Sequence, residues 1–79
     1  MKAKVYVALK PSILDPQGKT IAQALHTMGY KSVAHVRQGK YFEVEIEADS
    51  VEEARATISE LADRVLANPV IEDYRVEFE

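Results

Sequence analysis

Hydrophobic and polar residues alternate along the start of the chain. Every second residue between positions 2 and 10 is apolar, which predicts a half-buried strand. Over residues 16–28 the apolar spacing changes to three and four, which predicts an amphipathic helix packed on one face of a sheet. Asp15 followed by a proline is typical of a helix start, and Gly29 stands where a C-terminal cap belongs. Gly18 in the first turn indicates either close approach of another backbone or a frayed helix start.

Two further strands are predicted next. Residues 32–38 are apolar without strict alternation, which favours a strand with a bulge or a bend. Residues 40–48 alternate strictly, so they predict a strand with one buried face. Gln38 and Gly39 lie between the two segments, and the pair therefore predicts a hairpin.

The last third of the chain predicts a helix and a strand. Ser50 with Glu53 three residues later fits a capping box at a helix start. The helix then shows apolar residues at steps of three and four, at Val51, Ala54, Ile58, Leu61 and Val65. The pair Asn68 and Pro69 ends it, because the residue before a proline avoids the helical conformation. Residues 70–79 predict the final strand.

The predicted order of elements is β-α-β-β-α-β, in one domain over residues 1–79. Right-handed crossovers give an α+β, ferredoxin-like fold with a four-stranded antiparallel sheet and two helices on one face. The first strand is then central and lies beside the third. Lys2 and Lys4 are expected to face the glutamates of the third strand on the uncovered side of the sheet.

Composition narrows the possible partners. The chain has 79 residues, no cysteine and a net charge of −3 with interspersed signs, which argues against nucleic acid as a partner. No apolar run is long enough for a signal peptide or a membrane span, so we expect a cytoplasmic protein. A core this small, without disulfides, is marginal alone, so self-association to a dimer or tetramer is expected.

The titratable residues do not form a catalytic constellation. His26 and His35, the only imidazoles, fall on different predicted elements, and each is more simply a flank residue of its element than a base or a ligand. The alternating carboxylates of Glu43, Glu45 and Glu47 are more simply a sheet face opposite lysines than a metal site. We therefore predict no catalytic residue, no cofactor and no metal on this chain. Two polar groups lack an evident internal role, one around Asp15 and one at Arg37 and Lys40.

Several short motifs in a fixed order resemble the PurS family, the small subunit of phosphoribosylformylglycinamidine synthase. The likeness covers nearly the whole chain. The motifs are Val7-Ala8-Leu9-Lys10, Leu14-Asp15-Pro16-Gln17-Gly18, the stretch from Leu25 to Met28-Gly29-Tyr30, Val36-Arg37-Gln38-Gly39-Lys40, and Leu66-Ala67-Asn68-Pro69-Val70-Ile71-Glu72. Each motif is weak alone, and together they are specific.

The resemblance implies a subunit without an active site of its own. Such a chain joins a glutaminase subunit to a synthetase subunit that uses ATP and Mg²⁺, in a ligase of purine biosynthesis. Carried over position by position, the expected partner-contact residues are Asp15, Gln17, Gly18, Arg37, Gly39, Lys40, Asn68 and Pro69. A structural role stays open for each: a cap for Asp15, backbone needs for the glycines, and a helix stop for Asn68 and Pro69.

Two other functions fit the same predicted topology. A regulatory module would bind a small effector between paired subunits, and it would do so without other proteins. An acyl-phosphate hydrolase would need a glycine-rich anion loop and an arginine after the first strand. Residues 10–13, Lys-Pro-Ser-Ile, do not supply that loop.

Overall fold

A computed structural model describes all 79 residues and contains a three-stranded antiparallel sheet. Its elements are β1 (Lys2–Leu9), α1 (Pro16–Thr27), β2 (Gly39–Glu45), α2 (Val51–Leu61) with a π-helical turn (Ala62–Leu66), and β3 (Glu72–Phe78). The strand order is β2-β1-β3, so β1 is central and lies beside β2, as predicted. Val5 marks the register, because it is opposite Phe42 on one side and Val76 on the other.

The core lies between β1 and α2. Ala3, Val5 and Val7 point from one face of β1 towards Ile58 and Ala62, and all five side chains are buried. The flanking strands contribute residues that are only partly buried, such as Val44 and Val76, because one helix covers the middle of the sheet and not its sides. Ten of the 79 residues are buried, so the core is small for this length.

The predicted fourth strand is absent, and the prediction of a four-stranded ferredoxin-like sheet was wrong. Residues 32–38 form neither helix nor strand and pair with no strand, so no hairpin forms around Gly39. The segment lies along α1 instead. His26 Nε2 is 2.5 Å from the Val33 carbonyl oxygen, and the Gln38 N–H donates to the carboxylate of Asp15. These bonds to α1 and its cap take the place of a strand ladder.

The two helices do not share a sheet face, which also corrects the prediction. The core cluster contains no residue of α1, and only Gly18 and Ala22 of that helix are buried. The molecule measures 51 × 25 × 14 Å, and its radius of gyration of 16.0 Å exceeds the roughly 12 Å expected of a compact chain of this length. Residues 11–38, called the arm below, therefore project from the rest of the chain, called the body.

The helix ends follow the predicted chemistry. Asp15 caps α1 with a proline at its first position, and Ser50 Oγ accepts the Glu53 N–H at the start of α2. Gly29 has a φ of 103°, the left-handed conformation that a C-terminal cap uses. Neither α1 nor α2 combines the length and the apolar character that crossing a bilayer requires.

Candidate interaction site at the end of the sheet

Three segments meet where β1 ends. The first is the start of α1, the second is the stretch that leads into β2, and the third is the turn before β3. Between them lies a cleft of about 210 Å³, lined by Ala8, Leu9, Asp15, Gln17, Gln38, Gly39, Lys40 and Glu72. In the structure, all eight residues that the family resemblance implies as partner contacts lie in or beside these three segments.

Asp15 joins the first two segments. Its Oδ1 accepts the N–H of Gly18 at 3.0 Å, and its Oδ2 accepts the N–H of Gln38 at 2.8 Å. These two bonds, with the bond from Gln38 first, hold the pKa of the Asp15 carboxyl below its usual range, because both favour the charged form. The side chain is therefore a helix cap and a link across the chain at once.

The glycines of the site allow two backbones to approach closely. A Cβ built on Gly18 would lie 2.2 Å from the Val36 carbonyl oxygen, and one on Gly39 would lie 2.4 Å from the Val7 carbonyl oxygen. No side chain fits at either distance. Of the two alternatives left open for Gly18, the structure has the close approach and not the frayed start, since α1 already includes this residue.

Arg37 and Lys40 differ in how they use their charge. Arg37 Nη2 donates to the Leu9 carbonyl at 2.9 Å and to the Lys10 carbonyl at 3.1 Å, so its guanidinium ties the arm to the end of β1. Lys40 Nζ lies 3.5 Å from a carboxylate oxygen of Glu72, and its side chain is 54% exposed. The sequence prediction placed both at a hairpin end that does not form. Of the two, Lys40 is the residue available to a partner.

The third segment is a turn held by Asn68 and Glu72. Asn68 Oδ1 accepts the N–H of Val70 at 3.1 Å, and Glu72 Oε1 accepts the N–H of Asn68 at 2.7 Å. Pro69 follows Asn68 inside this turn. Because Glu72 also pairs with Lys40, it connects the turn to β2.

The sequence prediction missed Gln38 and Glu72 as site residues. Gln38 acts through its backbone N–H, for which a sequence carries no side-chain signal. Glu72 did carry one, since an acid four residues after Asn68 can bond back to the turn.

The cleft is a polar surface whose side chains are mostly held by bonds to the backbone. Asp15, Arg37 and Asn68 are engaged with backbone groups of the chain itself, which leaves Lys40 and Gln17 facing outward. No nucleophile lies beside a base here, and nowhere in the structure do three His, Asp or Glu side chains gather as a metal centre would require. Surfaces of this kind recognise other macromolecules through charge and shape.

Comparison with known proteins decides the family. Residues 2–79 match the family model PurS, described as phosphoribosylformylglycinamidine (FGAM) synthase. The chain belongs to the PurS family. It is 51% identical over 78 residues to the PurS subunit of phosphoribosylformylglycinamidine synthase from Bacillus subtilis, covering 99% of this chain and 92% of the relative. The PurS subunit from Archaeoglobus fulgidus is 43% identical over 76 residues, which is 96% of this chain and 95% of the relative.

Solved PurS structures share the architecture. B. subtilis PurS superposes with a TM-score of 0.89 at 51% identity, with 99% of this chain and 96% of that chain covered. A chain in the structure of PurLQS from Thermotoga maritima superposes with a TM-score of 0.89 at 32% identity, with 96% and 93% covered. This PurS chain is therefore a subunit of a ligase, phosphoribosylformylglycinamidine synthase of purine biosynthesis.

Proposed function

We propose that this PurS chain is the non-catalytic subunit that joins a glutaminase subunit to a synthetase subunit within the synthase. Ammonia released from glutamine on one subunit then reaches the substrate activated by ATP on the other. The observation that carries this proposal is the full-length likeness to a chain of the T. maritima PurLQS structure. ATP and Mg²⁺ belong to the synthetase subunit in this proposal, and the complex works in the cytoplasm.

The site at the sheet end supports a joining role. Asp15 holds the two sides of the arm together, Arg37 fixes the arm to the body, and neither is poised as an acid or base towards a substrate. A rigid surface lowers the entropy lost on docking. Lys40, Gln17 and the turn at Pro69 are the groups that this surface offers to a partner subunit.

Self-association to a dimer or tetramer is the second part of the proposal. One face of the sheet has no helix on it, and the outer edges of β2 and β3 are unpaired. Large apolar side chains are also exposed on the arm, including Leu14 and Met28. Burial of such surface in a second copy adds the stability that ten buried residues do not supply.

The test is reconstitution with the other two subunits. Purified glutaminase and synthetase subunits are mixed with and without this chain, and product formation is measured with glutamine and, separately, with ammonium as nitrogen donor. Glutamine-dependent synthesis is expected only when the chain is present, and the chain alone is expected to hydrolyse neither ATP nor glutamine.

Ammonium is the internal control, because free ammonia bypasses the glutaminase. Equal glutamine-dependent rates with and without the chain would contradict the joining role. An ATP-hydrolysing activity that co-purifies with the chain alone would contradict the non-catalytic role.

A further inference from the structure

The largest cavity of the structure lies inside the arm, apart from the cleft at the end of the sheet. It measures about 560 Å³, a size that is typical of small-molecule sites. One wall is a single stripe of α1, in which steps of three and four place the side chains on one face: Lys19, Ala22, Gln23 and His26. Segment 34–37 forms the facing wall, and residues 11–14 line the rest. The arm therefore holds a pocket between its helix and the segment that runs back to β2.

Two hydrogen bonds tie the walls of this cavity together. The Gln38 N–H donates to the Asp15 carboxylate at 2.8 Å, at the start of α1. Further along the helix, His26 Nε2 lies 2.5 Å from the Val33 carbonyl oxygen. The walls are thus fixed before any ligand arrives, and a pre-formed pocket loses little entropy on binding.

The cavity carries basic side chains whose donors are unused. Lys19 and His35 form no side-chain hydrogen bond and no ion pair within the chain. Arg37 uses only its Nη2 group, which donates to two backbone carbonyls. Its Nε and Nη1 groups therefore remain available, on the wall that faces Lys19.

Asp15 is the only acidic residue that lines the cavity. It is buried, and each of its carboxylate oxygens accepts a backbone N–H, one from Gly18 and one from Gln38. Its charge is thus compensated by bonds inside the chain. Lys19 and Arg37 lack such compensation by an acid, so the cavity favours a negatively charged ligand.

The placement of the donors favours a phosphate over a carboxylate. A phosphate group presents three oxygens in different directions and can accept hydrogen bonds from both walls, whereas the two oxygens of a carboxylate lie in one plane. Its double charge also matches the two cations, Lys19 and Arg37. Apolar side chains line other parts of the cavity, among them Ile13 and Val36, and these favour a ligand with a carbon body.

We propose that the cavity in the arm binds a small organic phosphate monoester. The phosphate lies between Lys19 on α1 and the pair His35 and Arg37 on the facing segment, and the carbon body packs against Ile13 and Val36. This site goes beyond the joining role, because all of its groups belong to one chain and it needs no partner subunit.

Isothermal titration calorimetry on the full chain tests the site, with phenyl phosphate as the probe at constant ionic strength. At about pH 7.5 the probe is a dianion, because the second pKa of a phosphate monoester is about 6. A dissociation constant of about 1 mM or tighter is expected. Inorganic phosphate lacks the apolar body and benzoate lacks the second charge, so each is expected to bind at least about fivefold more weakly.

Lys19→Gln and Lys31→Gln form a matched pair of variants. Each removes one positive charge from an exposed, unpaired lysine of the arm, and only Lys19 lines the cavity. Both are expected to melt like the parent. Lys19→Gln should weaken binding of phenyl phosphate at least about tenfold, since it removes a charged donor, and Lys31→Gln should bind like the parent.

Three results would overturn the proposal. They are no binding of phenyl phosphate by the parent chain, benzoate binding as tightly as phenyl phosphate, and an equal loss of affinity in the two lysine variants. The titration uses this chain alone and the reconstitution assay measures its action on other subunits, so failure of one is distinguishable from failure of the other.

Discussion

The carboxylate of Asp15 binds the backbone N–H of Gln38, 23 positions later, while its other oxygen caps α1 at Gly18. One side chain thus sets where the helix starts and where the segment before β2 passes it. Arg37 adds a second link, from that segment to the last carbonyls of β1 and its neighbour Lys10. The Asp15 bonds hold the two sides of the arm together, and the Arg37 bonds hold the arm against the end of β1. These bonds matter because α1 adds no residue to the main core.

Replacing Asp15 with asparagine tests this link. The amide keeps one acceptor oxygen but turns an NH₂ group towards the second backbone donor, so one buried N–H loses its partner. We expect the free energy of unfolding to fall by about 1 to 3 kcal/mol. Urea denaturation measures it, with Asp49→Asn as the control that makes the same chemical change at an exposed acid. Equal losses in the two variants would contradict the role of Asp15.

The same carboxyl predicts a pH dependence. Its pKa is lowered in the folded chain, chiefly by the N–H of Gln38, so folding favours the ionised form. The stability that this preference contributes is complete above the pKa of the unfolded chain. It is lost as the pH falls from there through the folded value, when the carboxyl takes up its proton.

Urea denaturation between pH 6 and pH 2.5, about the range in which carboxyls titrate, follows this loss. The parent is expected to lose more stability on acidification than Asp15→Asn, which has no proton to take up there. Parallel curves for the two proteins would contradict the prediction.

The substitution Gly18→Ala has two opposite effects on stability, a gain in helix propensity and a steric clash. In an open helix, glycine to alanine stabilises by roughly 1 kcal/mol. Here the new Cβ would lie 2.2 Å from the Val36 carbonyl oxygen, so segment 32–38 has to move away from α1, and we expect a net loss of about 1 to 3 kcal/mol. Gly29→Ala is the comparison, since it meets no atom within 4 Å and is penalised by about 1 kcal/mol through its φ of 103° alone. A Gly18→Ala chain that melts above the parent would contradict the close approach.

Most helices and strands could be predicted from the sequence, because each is determined by residues close to it in the chain. The Asp15 and Ser50 caps, the Gly29 terminus and the alternation of β1 act over a few residues, and the structure has all of them. The pairing of β1 with β2 followed from the rules of connection.

The local sequence pattern could not decide which segments distant in the chain pair with each other. The apolar residues of segment 32–38 are equally compatible with a strand and with contact against a helix. The bond that the Gln38 N–H donates to Asp15 and the bond that the Val33 carbonyl accepts from His26 favour the helix. The site was predicted as a set of positions because of the family resemblance. Its internal bonds were not, since Arg37 bonds to backbone carbonyls and Gln38 donates its own backbone N–H, and side-chain identity reveals neither partner.

Arg37 and Lys40 give the last prediction, in which folding and docking separate. At the predicted hairpin end both side chains would stand in solvent, where charge reversal leaves a fold intact. The structure changes that expectation for Arg37. Arg37→Glu removes two hydrogen bonds to carbonyls and should lower the free energy of unfolding by about 1 to 2 kcal/mol. Lys40→Glu removes only an exposed ion pair with Glu72, so a loss within about 1 kcal/mol is expected.

For docking, the expected order is reversed. Lys40→Glu should reduce glutamine-dependent synthesis in the reconstituted complex more than ammonium-dependent synthesis, because like charge at a partner contact weakens assembly. Arg37→Lys serves as the matched variant, since it keeps the charge and loses the guanidinium fork that reaches two carbonyls. It should melt below the parent and yet, below its melting temperature, keep the parent ratio of the two activities. If Lys40→Glu also keeps that ratio, the end of the sheet is not where a partner subunit binds.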